Sequence, residues 1–163
     1  MSNIKWSGIE QWKYGLTARW YVSAYYGNDV DVDAVGLYDP STNPTGHGGP
    51  TRPFATLDKF ASVAAVSSNL VLDSGYYSGS ITLPNNSTIV GDGNVIIGTA
   101  SGGALVRAFN LTIVSSNLLN NRGFATDCKI YYCTINKRDN ITDFNNLYVE
   151  CTFTQTVDLN SKF

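Results

Sequence analysis

Two segments near the end of the chain repeat each other. The sequence YYCTI ends at Ile135 and VECTF ends at Phe153, so Cys133 and Cys151 hold the same place in both. Both segments belong to a series of short runs of β-forming residues that begins at Leu70, and each run is bounded by Asn, Gly, Asp or Ser. This pattern of short strands and polar turns predicts an all-β fold.

The spacing of the runs narrows the prediction further. Ile113 lies about 20 residues before Cys133, and Ile89 lies about 24 residues before Ile113. A period of roughly 18 to 24 residues is typical of a β-solenoid, in which each coil buries its apolar face against the next one. Asn at the turns fits this interpretation because it tolerates the left-handed backbone conformation. We therefore expect residues 54–163 to form a short parallel β-solenoid that begins with a capping helix.

The helix is predicted from residues 57–65. Thr56 is a suitable N-cap, and apolar residues follow at helical spacing on one face. These cap residues are Leu57, Phe60, Ala61 and Ala64. Because the helix comes just before the first apolar run, we expect it to cover the open end of the first coil, with Phe60 buried.

Two further segments precede the helix. Residues 27–53 hold four prolines and several glycines, which predicts a long loop without regular structure. Residues 1–26 hold all three tryptophans and follow neither a helical nor a strand period. Such aromatic density is typical either of a satellite core or of a segment that docks on another chain. The candidate docking residues are Trp6, Trp12, Tyr14 and Trp20.

Five short stretches resemble the beginning of right-handed parallel β-helix proteins of the pectin-lyase-like type. They are Tyr21-Val22-Ser23, Gly27-Asn28-Asp29, Pro53-Phe54-Ala55-Thr56-Leu57, Val71-Leu72-Asp73-Ser74-Gly75-Tyr76 and Ile89-Val90-Gly91-Asp92-Gly93. The resemblance covers about residues 21–153 and implies the fold rather than one activity, since the family includes polysaccharide lyases, glycoside hydrolases, bacterial surface proteins and phage tailspikes.

Composition argues against several classes of partner. The net charge is −2, and the chain has no basic stripe, so we expect no nucleic-acid binding. No apolar run approaches the roughly 18 residues that span a bilayer, so we expect no membrane insertion. The sequence contains no phosphate-binding glycine motif and no C-x-x-C pattern, so we expect no cofactor.

The sequence offers no convincing catalytic set. The acids of the predicted solenoid do not recur one repeat apart in register, and the usual pair of carboxylates for glycoside cleavage is therefore not expected. These acids are Asp73, Asp92, Asp127, Asp139, Asp143, Glu150 and Asp158. The single histidine, His47, lies between two glycines in the loop. Asp29, Asp31 and Asp33 have the spacing of a calcium loop, but Ala34 and Pro40 stand where glycine and an acid are needed.

These observations lead to three functional hypotheses. The first is a bacteriophage virion component, a fibre or tailspike, which assembles as a homo-oligomer, expected to be a trimer, and docks on other virion proteins. The first segment, MSNIKWSGIEQWKYG, lacks the apolar stretch of a signal peptide, which suits a protein made in the host cytoplasm. Host surface polysaccharide is a further expected ligand. The alternatives are a carbohydrate-active β-helix enzyme and a bacterial surface adhesin. Cys128, Cys133 and Cys151 are expected to be buried free thiols.

Overall fold

The computed structural model describes residues 20–30, 35–79, 82–99, 101–102, 106–116, 124–135, 143–153 and 159–162. These residues form mostly strands and one short helix. The elements are β1 Trp20–Val22, α1 Leu57–Val63, β2 Asn69–Tyr77, β3 Thr82–Leu83, β4 Thr88–Ile97, β5 Ser101–Gly102, β6 Arg107–Phe109, β7 Thr112–Val114, β8 Phe124–Thr126, β9 Lys129–Tyr131, β10 Thr134–Ile135, β11 Asp143–Val149, β12 Thr152–Phe153 and β13 Leu159–Lys162. The prediction of an all-β protein is confirmed.

Parallel pairing organises the described strands. Nine of them form one sheet in the order β1-β2-β4-β6-β8-β11-β9-β7, with β13 beside β11 and a second pairing between β4 and β7. Each strand therefore lies beside the strand that occupies the same place in the next repeat of the sequence.

The repeat in the structure aligns different pairs of residues from those that the sequence spacing predicts. Leu70 aligns with Ile89 and Ile89 aligns with Ala108, whereas the predicted partner of Ile89 was Ile113. Ile113 instead aligns with Ile97 on one side and with Ile130 on the other. The actual intervals are shorter than the predicted ones because Ile89 and Ile113 pair with different sets of strands, and Cys133 lies between β9 and β10 rather than in a strand.

The strands make three ladders in the described part of the chain. The long strands β2 and β4 contribute their first halves to ladder 1, with β1, β6 and β8, and their second halves to ladder 2, with β7 and β9. β11 pairs with both β8 and β9. Ladder 3 consists of the short pairs β3–β5 and β10–β12. The prediction that Ile135 aligns with Phe153 is confirmed.

Aligned apolar side chains form the core. In ladder 2, one column of aligned residues is buried in every strand: Tyr77, Ile97, Ile113, Ile130 and Tyr148. In ladder 1 the corresponding buried column is Trp20, Leu70, Ile89, Ala108 and Ala125. Like residues therefore stack on like residues along the sheet, which is how a repeat that cannot bury its own apolar face obtains a core.

The bends between ladders use left-handed backbone. Non-glycine residues with positive φ are Asn110, Asp127 and Asn145 between ladders 1 and 2 (bend 1), Ser115, Tyr132 and Glu150 after ladder 2 (bend 2), and Ser67 and Asn86 before ladder 1 (bend 3). The predicted use of Asn at turns is confirmed at three of these positions. At bend 2 the stacking of successive repeats imposes the same conformation on Tyr132 and Glu150, residue types that rarely adopt it.

The helix α1 begins as predicted and ends earlier. Thr56 is the N-cap, and its side chain accepts a hydrogen bond from the Lys59 amide at 3.1 Å. The helix ends at Val63 rather than at residue 65 because Ala64 already has extended backbone. Phe60 is 0% exposed and Leu57 is also buried, as predicted, while Ala61 and Ala64 are partly buried against the core.

One part of the predicted order along the chain is wrong. The helix was expected to precede the first strand, but β1 comes before it and pairs in parallel with β2, through Trp20 with Leu70 and Val22 with Leu72. Residues 20–22 of the predicted docking segment therefore belong to the sheet. Trp6, Trp12 and Tyr14 lie outside the described residues.

Candidate functional site

The outer edge of β1 is closed by the chain itself. The Tyr21 amide donates to the Gly48 carbonyl at 2.9 Å, and the Phe54 amide donates to the Tyr21 carbonyl at 2.9 Å. The Ser23 amide donates to the Phe54 carbonyl at 2.8 Å. Because an open strand edge is a template for pairing with another chain, these bonds remove such a template at this end of the sheet. We call residues 47–63, which include α1, the edge seal.

Aromatic rings fill the space beneath the edge seal. Phe54 stacks on Trp20 with ring centroids 5.7 Å apart and meets the edge of His47 at 4.8 Å. Gly48 has φ +87, and a Cβ there would lie 2.5 Å from the Phe54 ring, so no other residue fits. Trp20 is only 5% exposed. It therefore packs inside its own chain, which differs from the expected role of Trp20 in docking on a partner.

Residues that carry the family resemblance hold the edge seal in place. The Gly27 amide donates to the Ser23 carbonyl at 2.8 Å, and a Cβ on Gly27 would overlap the Phe54 carbonyl oxygen. The Asp29 carboxylate accepts from the Ala55 amide at 2.7 Å and from the Thr56 hydroxyl at 2.5 Å. Asp29 thus joins the loop to the start of α1. Asp31 and Asp33, the other members of the acidic loop, lie outside the described residues.

His47 is part of the same structure. Its ring is buried, and its Nε2 donates to the Asn28 carbonyl, which places the proton on that nitrogen. Within the described part of the chain, Nδ1 has no hydrogen-bond partner. The backbone of His47 bonds to Gly36 and Tyr38, and its ring packs against Phe54, so this histidine supports the loop.

Tyr77 joins β1 to β2 and was not identified from the sequence. Its hydroxyl accepts from the Ala24 amide at 3.0 Å and donates to the Asp73 carbonyl at 2.8 Å. Burial raises the pKa of Tyr77 well above its usual range, and the nearby carboxylate of Asp73 acts in the same direction. The sequence Tyr76-Tyr77 gave no sign of which ring points inward.

Two acids do align one repeat apart, contrary to the prediction. Asp73 in β2 is the register partner of Asp92 in β4. Both oxygens of the Asp73 carboxylate already accept hydrogen bonds, from the Ser23 hydroxyl at 3.0 Å and from the Ser74 amide at 2.8 Å. The signal for this pair in the sequence is that each acid directly follows a short apolar run, Leu70-Val71-Leu72 or Ile89-Val90-Gly91.

The remaining acids are spread over the fold. Asp127 lies at bend 1, where Asn145 Nδ2 donates to its carboxylate at 2.6 Å. Glu150 is exposed at bend 2, and Asp143 begins β11. Asp139 and Asp158 lie outside the described residues. Among the described residues, no group of three or more His, Cys, Asp and Glu side chains could hold a metal ion.

Two shallow cavities follow bend 1. One, of about 130 Å³, lies between Asn94, Asn110, Thr112 and Lys129, and the other, of about 280 Å³, lies between Lys129, Asn145 and Leu147. Asp127 and Lys129 border both cavities. The amide side chains that line them are largely used within the chain: Asn110 Nδ2 donates to the Gly91 carbonyl at 2.9 Å.

Asn146 is a further residue that sequence analysis missed. It is only 2% exposed, its Nδ2 donates to the Ala125 carbonyl at 2.8 Å, and its Oδ1 accepts from the Cys128 amide at 2.9 Å. It therefore cross-links two consecutive repeats inside the core. Its distance from Cys128 along the sequence equals the distance between Cys133 and Cys151, and this shared interval is the signal that could have identified it.

The cysteines are free thiols at the bends. Cys128 and Cys133 are buried as expected, whereas Cys151 is only partly buried. No helix among the described residues is long and apolar enough to cross a bilayer. Comparison with known protein families, curated proteins and solved structures gave no match to this chain.

Proposed function

We propose that the chain forms a right-handed parallel β-helix and serves as a structural component of a bacteriophage virion, in a fibre or tailspike. The observation that supports the fold is the common register of three ladders, with left-handed residues at matching bends in successive repeats. A crossover between parallel strands of one sheet is right-handed in nearly all proteins, which gives the handedness.

The hydrogen-bond partners of the polar side chains support a structural role. The Asp29, Asp73 and Asn146 side chains all bond within the chain, and the loop that holds His47 closes the edge of β1. Each added repeat lengthens the stack by about 4.8 Å, so a small number of residues per repeat gives a stiff rod. Such a rod suits the shaft of a fibre better than it suits a reaction centre.

The docking part of the proposal concerns residues 1–19. Trp6, Trp12 and Tyr14 anchor the chain on another virion protein, since Trp and Tyr provide large buried areas at low entropic cost. Trp20 is excluded from this set because it packs against Phe54. In the assembled fibre the chains form a homotrimer, and host surface polysaccharide is the ligand of the exposed side of the rod.

The test is mass spectrometry of virus particles purified on a density gradient from lysates in which the gene is expressed. We expect peptides of this chain in the particle fraction at the level of a structural protein. Deletion of residues 1–19 should abolish incorporation while the circular dichroism spectrum stays β-rich. Peptides found only in the soluble fraction, beside particles that contain their other structural proteins, contradict the proposal.

A matched pair of substitutions separates docking from folding. The double change Trp6→Ala and Trp12→Ala should reduce incorporation and leave the thermal midpoint of the free chain unchanged. Trp20→Ala should lower the midpoint by removing the ring that packs on Phe54. Light scattering on the full chain should give a mass near three times the 17.7 kDa of one chain.

The aligned pair Asp73 and Asp92 favours a second candidate, a carbohydrate-active enzyme. Two carboxylates on neighbouring strands are close enough for the distances that glycoside cleavage requires. The Asp73 carboxylate already holds Ser23 and Ser74, so Asp92 is the residue to change. Cleavage of acidic polysaccharides by the chain, lost in Asp92→Asn with an unchanged thermal midpoint, would establish the enzyme and displace the structural role.

A further inference from the structure

Cys133 and Cys151 occupy the same place in two consecutive repeats. Tyr131 aligns with Val149 on one side of the pair and Thr134 aligns with Thr152 on the other. Backbone hydrogen bonds hold the register across it: the Tyr132 amide donates to the Val149 carbonyl at 3.0 Å, and the Thr152 amide donates to the Cys133 carbonyl at 2.9 Å. The two cysteines are therefore direct neighbours across a parallel ladder.

The backbone separation at this place is compatible with a disulfide. Neighbouring strands lie about 4.8 Å apart, which falls within the Cα separation of roughly 4.4 to 6.8 Å found in disulfides. Both cysteines are free thiols in this structure. The two side chains need only a change of χ1 angle to meet, since the bends that carry them are already side by side.

The contacts of the two sulfur atoms show which side chain must rotate for a disulfide to form. Cys151 Sγ lies 3.5 Å from the Ile130 carbonyl oxygen, so it leans toward the repeat that contains Cys133. Cys133 Sγ lies 3.5 Å from the Ser116 amide nitrogen, so it leans away toward the preceding repeat. Rotation of Cys133 toward Cys151 brings the two sulfur atoms together and gives up the contacts of Cys133 Sγ to the Ser116 amide, the Tyr131 carbonyl and the Ile113 carbonyl.

The exposure of the two cysteines and the raised pKa of Cys133 determine which thiol reacts first with an oxidising reagent. Cys151 is partly exposed, whereas Cys133 is only 4% exposed. Burial raises the pKa of the Cys133 thiol, and the neighbouring Cys151 adds to this. An oxidising reagent therefore meets Cys151 first, and Cys133 reacts from inside the protein.

We propose that Cys133 and Cys151 are a latent disulfide, which closes between two consecutive repeats when the chain meets an oxidising disulfide such as glutathione disulfide. The Cys151 thiolate attacks one sulfur of glutathione disulfide, forms a mixed disulfide and releases one glutathione. The Cys133 thiolate then attacks the Cys151 sulfur, forms the Cys133–Cys151 bond and releases the second glutathione. The protein loses two electrons and two protons, and both are recovered in two glutathione thiols.

This bond would serve a chain that folds among reduced thiols and then works in an oxidising medium. It would close the segment from Cys133 to Cys151 into a covalent loop and hold two repeats in register. The inference depends on the register of the two cysteines and not on the proposed place in a virion, so each can fail without the other.

Cys128 provides a control within the same chain. It is 2% exposed at bend 1, and its neighbours in the adjacent repeats are Leu111 and Asn146, not cysteines. Its sulfur lies 3.5 Å from the Ala108 carbonyl oxygen. Cys128 should therefore remain a thiol under conditions that oxidise the other two.

The experiment treats the full chain with glutathione disulfide at pH 8 and maps its peptides by mass spectrometry without reduction. We expect one linkage, Cys133 to Cys151, with the loss of two hydrogen atoms and an unmodified Cys128. The oxidised chain should melt at a higher temperature than the reduced chain, and dithiothreitol should reverse the difference. Because both samples are the same folded wild-type chain, failure of a variant to fold cannot obscure the result.

Three variants sharpen the test. Cys133→Ser should stop at a stable glutathione adduct on Cys151, Cys151→Ser should give no adduct on Cys133, and Cys128→Ser should form the disulfide at the wild-type rate. The proposal is overturned by a lasting Cys151 adduct in the wild-type chain, by a disulfide that includes Cys128, or by a lower melting temperature after oxidation.

Discussion

The edge seal and the stack of repeats are built on different principles. In the stack, each position is determined by the residue one repeat away, as in the columns from Leu70 to Ala108 and from Ile97 to Ile130. In the edge seal, each position is determined by one particular contact, such as Asp29 on Thr56 or Gly48 under Phe54. The comparison shows that a repeated fold needs individual, unrepeated contacts where the repetition stops.

A change in the apolar centre of the edge seal should have the largest effect. Phe60→Ala should lower the free energy of unfolding by about 3–5 kcal/mol, since a fully buried ring leaves a cavity. Chemical denaturation monitored by circular dichroism measures this change. The control is Ser62→Ala on the exposed side of α1, which should cost little. An unchanged free energy for Phe60→Ala would mean that the helix does not seal the core.

The corresponding change in the stack is Asn146→Ala. It removes the two bonds that the Asn146 side chain makes in the core, with the Cys128 amide and the Ala125 carbonyl, and the loss of a buried hydrogen bond costs about 1–3 kcal/mol. We expect a loss of about 2–4 kcal/mol. The matched control is Asn94→Ala, which removes an exposed amide at a position in β4 that is not left-handed. Equal losses for the two variants would show that the amide bonds of Asn146 contribute nothing specific.

Tyr77→Phe tests the connection between the two regions, because it keeps the ring and removes only the bonds of the hydroxyl, which are to Val22, Ala24 and Asp73. The expected loss is about 1–3 kcal/mol. Burial raises the pKa of Tyr77 in the folded chain above the value of about 10 in the unfolded chain. The neutral hydroxyl therefore contributes its full stability below pH 10 and loses it as the pH rises further.

Alkaline titration of stability distinguishes this account from simple packing. The wild-type chain should lose more free energy of unfolding than Tyr77→Phe between pH 9 and pH 11. The exposed Tyr76→Phe is the control and should follow the wild-type curve. Parallel curves for all three proteins would exclude Tyr77 as the cause.

The smallest expected effect belongs to Asp29→Ala. Its carboxylate holds the Ala55 amide and the Thr56 hydroxyl at the start of α1, and the loss of such a capping contact costs about 1 kcal/mol. Asp29→Asn should recover part of the loss because it keeps one acceptor oxygen. If Asp29→Asn were less stable than Asp29→Ala, the contact would not act as a cap.

Whether the sequence predicts a feature depends on how far apart in the chain the contacting residues are. The alignment of Ile135 with Phe153 and the N-cap at Thr56 follow from local patterns, and both are confirmed. The pairing of β1 with β2 does not follow, because Trp20 and Leu70 are separated by the loop and the helix. A contact between residues this far apart in the sequence produces no repeating pattern from which it could be predicted.

The bends show a second limit of sequence patterns. Asn110 and Asn145 are residues that favour a left-handed backbone, and their turns can be read from composition. Tyr132 and Glu150 have no such preference, and the stack imposes the conformation on them because the repeats before and after fix their neighbours. Tertiary structure overrides local preference there.

Because Gly48 and Phe54 are hydrogen-bonded to the outer edge of β1, further strands can extend this sheet only on the side away from that edge. Strands added in the order of the chain extend it away from β1, and none can be added behind β1, whose outward amide and carbonyl groups are occupied. Two such molecules cannot join at their β1 edges to make one larger sheet. Edge-to-edge aggregation is therefore blocked at the β1 side.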